Sequence, residues 1–282
     1  MKSTHRDDSG FTLVELAIVL VIIGLIIGGV LAGQDLIKSA SIRAAITDIE
    51  KINTAAVTFR TKYGGLPGDL KGNVAAEFQL IAGPAGAVPG RPNVATAGRG
   101  DGNSVLEGCS SGSSALGCET ALFWVDLSAA ALIPQGITVY NGTTPFVADT
   151  TPANPITNFL YRSKLRDTAV YMAYHGNGRN RLALGAMRSV GGVVSIENNT
   201  NGASLTPLEA RGIDTKLDDG YPSNGVVIAT TDLAMTVDPG VVTPAANRCV
   251  FAPGGTVEPS YLGTNDAFLN NPACAISIRT DF

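Results

Sequence analysis

Apolar side chains run almost unbroken from Phe11 to Gly33, and Glu15 is the only charged residue inside the run. As a helix, residues 11–33 would be about 34 Å long and would cross a hydrocarbon core of about 30 Å. Beyond it the pattern changes without breaking. Ile42, Ile46, Ile49, Ile52, Ala56, Phe59 and Tyr63 recur every three or four positions, with Asp48, Lys51, Thr58 and Lys62 between them. That is the spacing of an amphipathic helix. One helix is expected from Phe11 to about Lys62, apolar all round over residues 11–33 and amphipathic over residues 34–63. Gly64, Gly65 and Pro67 end it.

Residues 64–282 read as a globular head with shorter elements. Glu119 to Ile133 is predicted as a helix with Leu122, Val125 or Asp126, Ala129 and Leu132 or Ile133 along one face, and Trp124 as a packing anchor. Leu182–Arg188 and Val190–Ile196 read as strands joined by a tight turn near Gly191 and Gly192. Val226–Thr231 and Ala275–Arg279 read as two more. Thr206 and Glu209 form a capping box with Pro207 at the first helical position, starting a helix to about Leu217. The fold class that follows is α+β: a long N-terminal helix packed on an antiparallel sheet.

Composition sets limits on the head. After the leader and membrane run, the 282-residue chain has enough length left for a real core. The net charge of -4 includes no surplus of lysine and arginine, so nucleic acid is not an expected partner.

The order of parts at the N-terminus is informative. A secretory signal peptide places its cleavage site after the apolar core, whereas here the glycine at position 10 comes before it. Residues 1–10 carry Lys2 and Arg6 against Asp7 and Asp8, so removing them leaves the net charge unchanged. A short polar leader, Gly10, then Phe11, Thr12, Leu13, Val14, Glu15 and an apolar helix resembles the prepilin class of type IV pilins and type II secretion pseudopilins. The resemblance implies that a prepilin peptidase cuts after Gly10 and methylates the new amino terminus at Phe11. It implies that Glu15 is the acid used in filament assembly, in contact with other pilin or pseudopilin subunits and an inner-membrane assembly platform. It also implies a single pass through the inner membrane with the head on the exported side, then transfer from the lipid bilayer to a filament.

The chemistry of the motif agrees with that expectation. Gly10 offers a protease a backbone without a side chain. Cleavage would create an ammonium at Phe11, and Glu15, one turn further on, would neutralise it in its own chain or in a neighbour, setting the register between subunits. The bland alternative is a carboxylate that snorkels to the headgroups of an ordinary anchor. Gly24 and Gly28, and again Gly29 and Gly33, stand four apart, which either lets neighbouring helices approach or weakens the helix locally.

Other candidates are weaker. The four cysteines form two sequence-local pairs, Cys109 with Cys118 and Cys249 with Cys274, expected as disulfides that pin surface segments. Zinc is the alternative, but neither spacing is Cys-x-x-Cys. Asp214, Asp218 and Asp219, followed by Gly220, form the densest acidic cluster; calcium is conceivable there, against the reading of a solvated helix end. Gly100 to Ser104 reads as an exposed glycine-rich loop. Ser195 and His175 sit in no nucleophile-elbow or zincin motif, so no enzyme is expected. Two function classes remain: a structural subunit, minor or tip-like given the size of the head, and a membrane-tethered exported binding protein or enzyme that reuses a prepilin leader.

Overall fold

The computed structural model describes residues 12–80, 100–108, 118–134, 136–137, 160–166, 169–176, 178–190, 193–197, 205–230, 249–251, 259–261 and 273–282. The chain divides into two compact units, Met1–Ser41 and Ile42–Phe282, and helix α1 (Leu13–Tyr63) contributes to each. Phe11, the expected first helical residue, lies outside the described residues. The C-terminal end falls one residue beyond the predicted Lys62. Gly64 terminates it with φ of 77°, its N–H bonded to the Arg60 carbonyl at 2.9 Å.

In the first unit α1 buries nothing. Every side chain from Leu13 to Ala32 is exposed, and this stretch is long and apolar enough to cross a membrane. So much apolar surface is not stable in water and needs a bilayer or other subunits to cover it.

In the second unit the same helix is amphipathic. Ile42, Ile49, Ile52, Ala56, Phe59 and Tyr63 are buried as the spacing predicts, and Ile46 is half-buried against the same core. Ala45 and Ala55 widen the buried stripe, and so does Asp48, which the pattern assigned to the polar side. Asp48 is fully buried, and Lys164 Nζ lies 3.4 Å from its Oδ1, so an ion pair meets its charge.

The sheet has six strands among the described residues, all pairing antiparallel: β1 (Tyr161–Arg162), β2 (Ala169–Gly176), β3 (Arg179–Val190), β4 (Val193–Glu197), β5 (Val227–Thr230) and β8 (Ala275–Arg279), in the order β1-β2-β3-β8-β5 with β4 on β3. Ala186 pairs with Ala169 on one side and Glu197 on the other, so β4 shares an edge of β3 with β8. The Tyr171 hydroxyl donates to the Ala45 carbonyl at 3.1 Å, fixing the face that packs on α1. Register places Leu182, Leu184, Ile276 and Ile278 on that face. β6 (Val250–Phe251) and β7 (Ser260–Tyr261) form a separate pair.

Several boundaries move. β3 is longer than predicted at both ends, β4 starts at Val193, and the turn at Gly191 and Gly192 falls outside the described residues. β1, β2, β6, β7 and the short helix α2 (Gly72–Glu77) carry no local pattern that announced them. Helix α3 (Glu119–Ala129) stops short of Ile133 because Ala131 turns left-handed, with Leu132 N–H bonded to the Leu127 carbonyl and Ala131 N–H to that of Ser128. It is buried on all sides from Glu119 to Leu127, where one face was expected. Trp124 is a packing anchor, its ring edge-on to Phe123 and stacked at 5.8 Å on Tyr161. Helix α4 (Pro207–Leu217) begins with the predicted reciprocal capping box of Thr206 and Glu209. Arg166 grips Glu209 through both carboxylate oxygens at 3.1 Å.

Cys249 and Cys274 are joined, and Cys118 is also disulfide-bonded; Cys109 lies outside the described residues. Cys118, Cys249 and Cys274 are fully buried. These three bonded cysteines therefore sit in the core, not at pinned surface segments. Cys249 immediately precedes β6 and Cys274 immediately precedes β8, so their bond ties the small sheet to the large one.

Candidate functional site

The N-terminal candidate is built on the first turn of α1. Glu15 Oε2 accepts from the Thr12 N–H at 2.8 Å and from Thr12 Oγ1 at 2.8 Å, and the Glu15 N–H donates to Thr12 Oγ1 at 3.3 Å. This is a reciprocal capping box, with Thr12 as N-cap. Threonine followed three residues later by glutamate, as Thr12 and Glu15 stand, is the sequence signature of that box. Glu15 is exposed, so its carboxylate is open to a partner outside the monomer. Gly10 and Phe11 lie outside the described residues. Further along, a Cβ added at Gly24, Gly28, Gly29 or Gly33 would meet nothing within 4 Å, which leaves that helix surface open to a second helix.

The head uses buried carboxylates to hold turns. Asp69 Oδ1 and Oδ2 accept from the N–H groups of Gly102 and Ser104, at 2.8 and 2.7 Å. Glu119 Oε1 and Oε2 accept from Gly100 and Glu107, at 2.6 and 2.9 Å. Asn180 continues the pattern, its Nδ2 donating to the Ser104 carbonyl and its Oδ1 accepting from the Leu106 N–H. The Gly100 to Ser104 segment is therefore a pinned loop rather than a free one. Asp101 completes an acidic group with Asp69 and Glu119, a cluster that sequence spacing did not suggest. Burial is the main cause that pushes Glu119 up to about 8 and Asp69 up to about 6, against the lowering effect of their backbone hydrogen bonds.

A carboxyl whose pKa rises on folding keeps a proton that the unfolded chain releases, so its stabilising contribution is lost as pH rises through the folded value. The head is therefore expected to lose stability from pH 6 to pH 8, by about 2 kcal/mol through Glu119 alone. Chemical denaturation across that range measures it. Glu119→Gln should flatten the slope, and an unchanged slope would assign the pH dependence elsewhere.

Asp214, Asp218 and Asp219 do come together at the end of α4. Asp214 accepts from the Gly220 N–H at 3.1 Å and from the Tyr261 hydroxyl at 2.9 Å. Asp218 Oδ2 accepts from the N–H groups of Val226 and Val227, and Asp219 from that of Tyr221. Burial chiefly pushes Asp214 up to about 6. Asp214 is buried, not part of a solvated helix end. Protein donors already satisfy much of this turn, so a chelator is expected to leave the melting midpoint unchanged. A midpoint that falls with chelator and recovers with added calcium would make the three aspartates a calcium site.

Residues 5–31 match the family model described as the prokaryotic N-terminal methylation motif, the prepilin-type cleavage and methylation signature of pilins and pseudopilins. No curated protein and no solved structure matches the chain. The signature overlaps the exposed apolar stretch of α1 and includes Thr12 and Glu15. The fold is α+β and pilin-like, a long N-terminal helix with an antiparallel sheet.

Proposed function

We propose that this chain is a structural subunit, of minor or tip type, of a type IV pilus or type II secretion pseudopilus. The observation that carries the proposal is the coincidence of the methylation signature at residues 5–31 with a helical stretch that buries none of its apolar surface. A pilin-like exported subunit needs both: a processing signal, and a surface covered first by lipid and then by neighbouring helices. Prepilin peptidase would cut after Gly10 and methylate Phe11, and Glu15 would meet the new ammonium in its own or an adjacent subunit. The head, residues 64–282, is large for a plain shaft subunit, which supports the minor or tip position.

The test is the mass of the mature amino terminus from membranes that contain the peptidase. The expected result is N-methyl-Phe11. A chain that starts elsewhere overturns the processing scheme and leaves the reading of a tethered binding protein.

A further inference from the structure

Three arginines share a face at one end of the sheet. Arg181 on β3 lies directly opposite Arg279 on β8, and Arg179 stands two residues before Arg181, so strand geometry puts all three on the same side. Like charges directly opposite one another destabilise a sheet. The cost is greater here because Arg181 is only 5% exposed and has lost most of its water.

The bonds of Arg181 go to neutral groups. Its Nε donates to Ser277 Oγ at 2.7 Å, and its Nη2 to the carbonyls of Ser277 and Val226 at 3.2 and 3.5 Å. The Tyr174 hydroxyl, opposite Arg181 on β2, lies 2.6 Å from the same Ser277 Oγ. Burial, with Arg279 and Arg179 adding to it, holds Arg181 below the ordinary arginine range.

Among the described residues the ion pairs are Lys164 with Asp48 and Arg166 with Glu209, and neither involves these three arginines. Asp281 accepts from Asn53 Nδ2 at 2.7 Å and Asp218 accepts from backbone amides, so neither carboxylate is bonded to an arginine. Arg179 and Arg279 are exposed. Positive charge is thus gathered on one face of a chain whose net charge is -4, and among the described residues no carboxylate is paired with any of the three arginines.

We propose that Arg179, Arg181 and Arg279 form a binding site for a phosphate group. The two exposed guanidinium groups would grip its oxygens as forks, while Arg181 supplies a fixed positive charge behind them. A phosphate dianion suits the site better than a single carboxylate because it balances more of the charge and matches the planar fork on more than one edge.

The test is calorimetric titration of the full chain in neutral detergent at low ionic strength, with inorganic phosphate in one arm and glycerol 3-phosphate in the other. Saturable binding is expected in at least one arm. Binding of inorganic phosphate alone identifies a free anion; tighter binding of the ester identifies a phosphoglycerol headgroup. The R179A/R279A double variant should bind at least tenfold more weakly. R60A/K216A, which removes the same charge from exposed positions elsewhere, should bind like the parent. Should R179A/R279A fail to fold, R179K/R279K keeps the charge, loses the fork and should bind several-fold more weakly. No saturable heat in either arm, or unchanged binding by the arginine variants, overturns the site.

Discussion

Glu15→Ala is expected to abolish incorporation into filaments while leaving membrane insertion intact. The two consequences separate because the residue does two things. Within its own chain Glu15 closes a capping box with Thr12, and loss of such a cap costs about 1 kcal/mol. That is too little to unseat α1, whose membrane-length stretch is held by apolar side chains. Between chains, as proposed, Glu15 neutralises an ammonium in a poorly solvated bundle, and removing one partner of such a pair costs about 3–5 kcal/mol. Glu15→Gln distinguishes the roles, since glutamine also serves at the third position of a capping box but carries no charge. Membrane fractionation and recovery of sheared filaments measure the two outcomes. If Glu15→Gln assembles normally and only Glu15→Ala fails, the cap matters and the charge does not; if both assemble, the assembly role is wrong.

What the sequence revealed was local. The membrane-length run, the amphipathic continuation to Tyr63, the Thr206 and Glu209 box, β5 and β8 all announce themselves within a few residues of one another. β2 does not, because alternation appears only when one face is wet, and Ala169 to Tyr174 are all buried. Its tyrosines are hidden rather than interfacial because the Tyr171 hydroxyl donates to the Ala45 carbonyl and the Tyr174 hydroxyl shares a hydrogen bond with Ser277 Oγ. Acids mislead for the same reason. Asp48, which its spacing puts on the polar side of α1, is buried, and so are Asp69, Glu119 and Asp126; the amides that Asp69 hydrogen-bonds lie more than thirty residues away in sequence, at separations of 33 and 35. No short window contains such a pair. The arginine face has the same origin, since it exists only once β3 and β8 are in register.

These long-range contacts meet at the loop that follows α1. Leu66, Pro67, Gly68 and Asp69 form a tight turn closed by Asp69 N–H on the Leu66 carbonyl at 3.2 Å. Its side chains and amides then reach in two directions: Asp69 holds the Gly102 and Ser104 amides, and the Gly68 N–H donates to Asp126 Oδ2 at 2.6 Å. The turn therefore couples the end of α1, the pinned loop and α3.

Gly68→Ala is accordingly expected to be the most damaging single methyl among the described glycines of the head. Gly68 has φ of 87°, a left-handed conformation that costs an L-residue about 1–2 kcal/mol. An added Cβ would also collide with the Glu119 carbonyl oxygen and come within 2.9 Å of the Phe123 nitrogen. Both are backbone atoms of α3 and cannot rotate away. Overpacking of that kind adds about 1–3 kcal/mol. Relief would require moving α3, and with it Glu119 off the Gly100 and Glu107 amides and Asp126 off Gly68. The total, about 2–5 kcal/mol, is a large share of the 5–15 kcal/mol typical of a whole domain. Gly64→Ala is the control, since Gly64 has a similar φ of 77° but open space around its Cβ position, so it should lose only the conformational part. Chemical denaturation of both variants measures the difference. The near-ultraviolet dichroism of Trp124, the sole tryptophan, reports whether α3 is still docked. Equal midpoints for the two variants would mean that α3 does not press on the turn at Gly68.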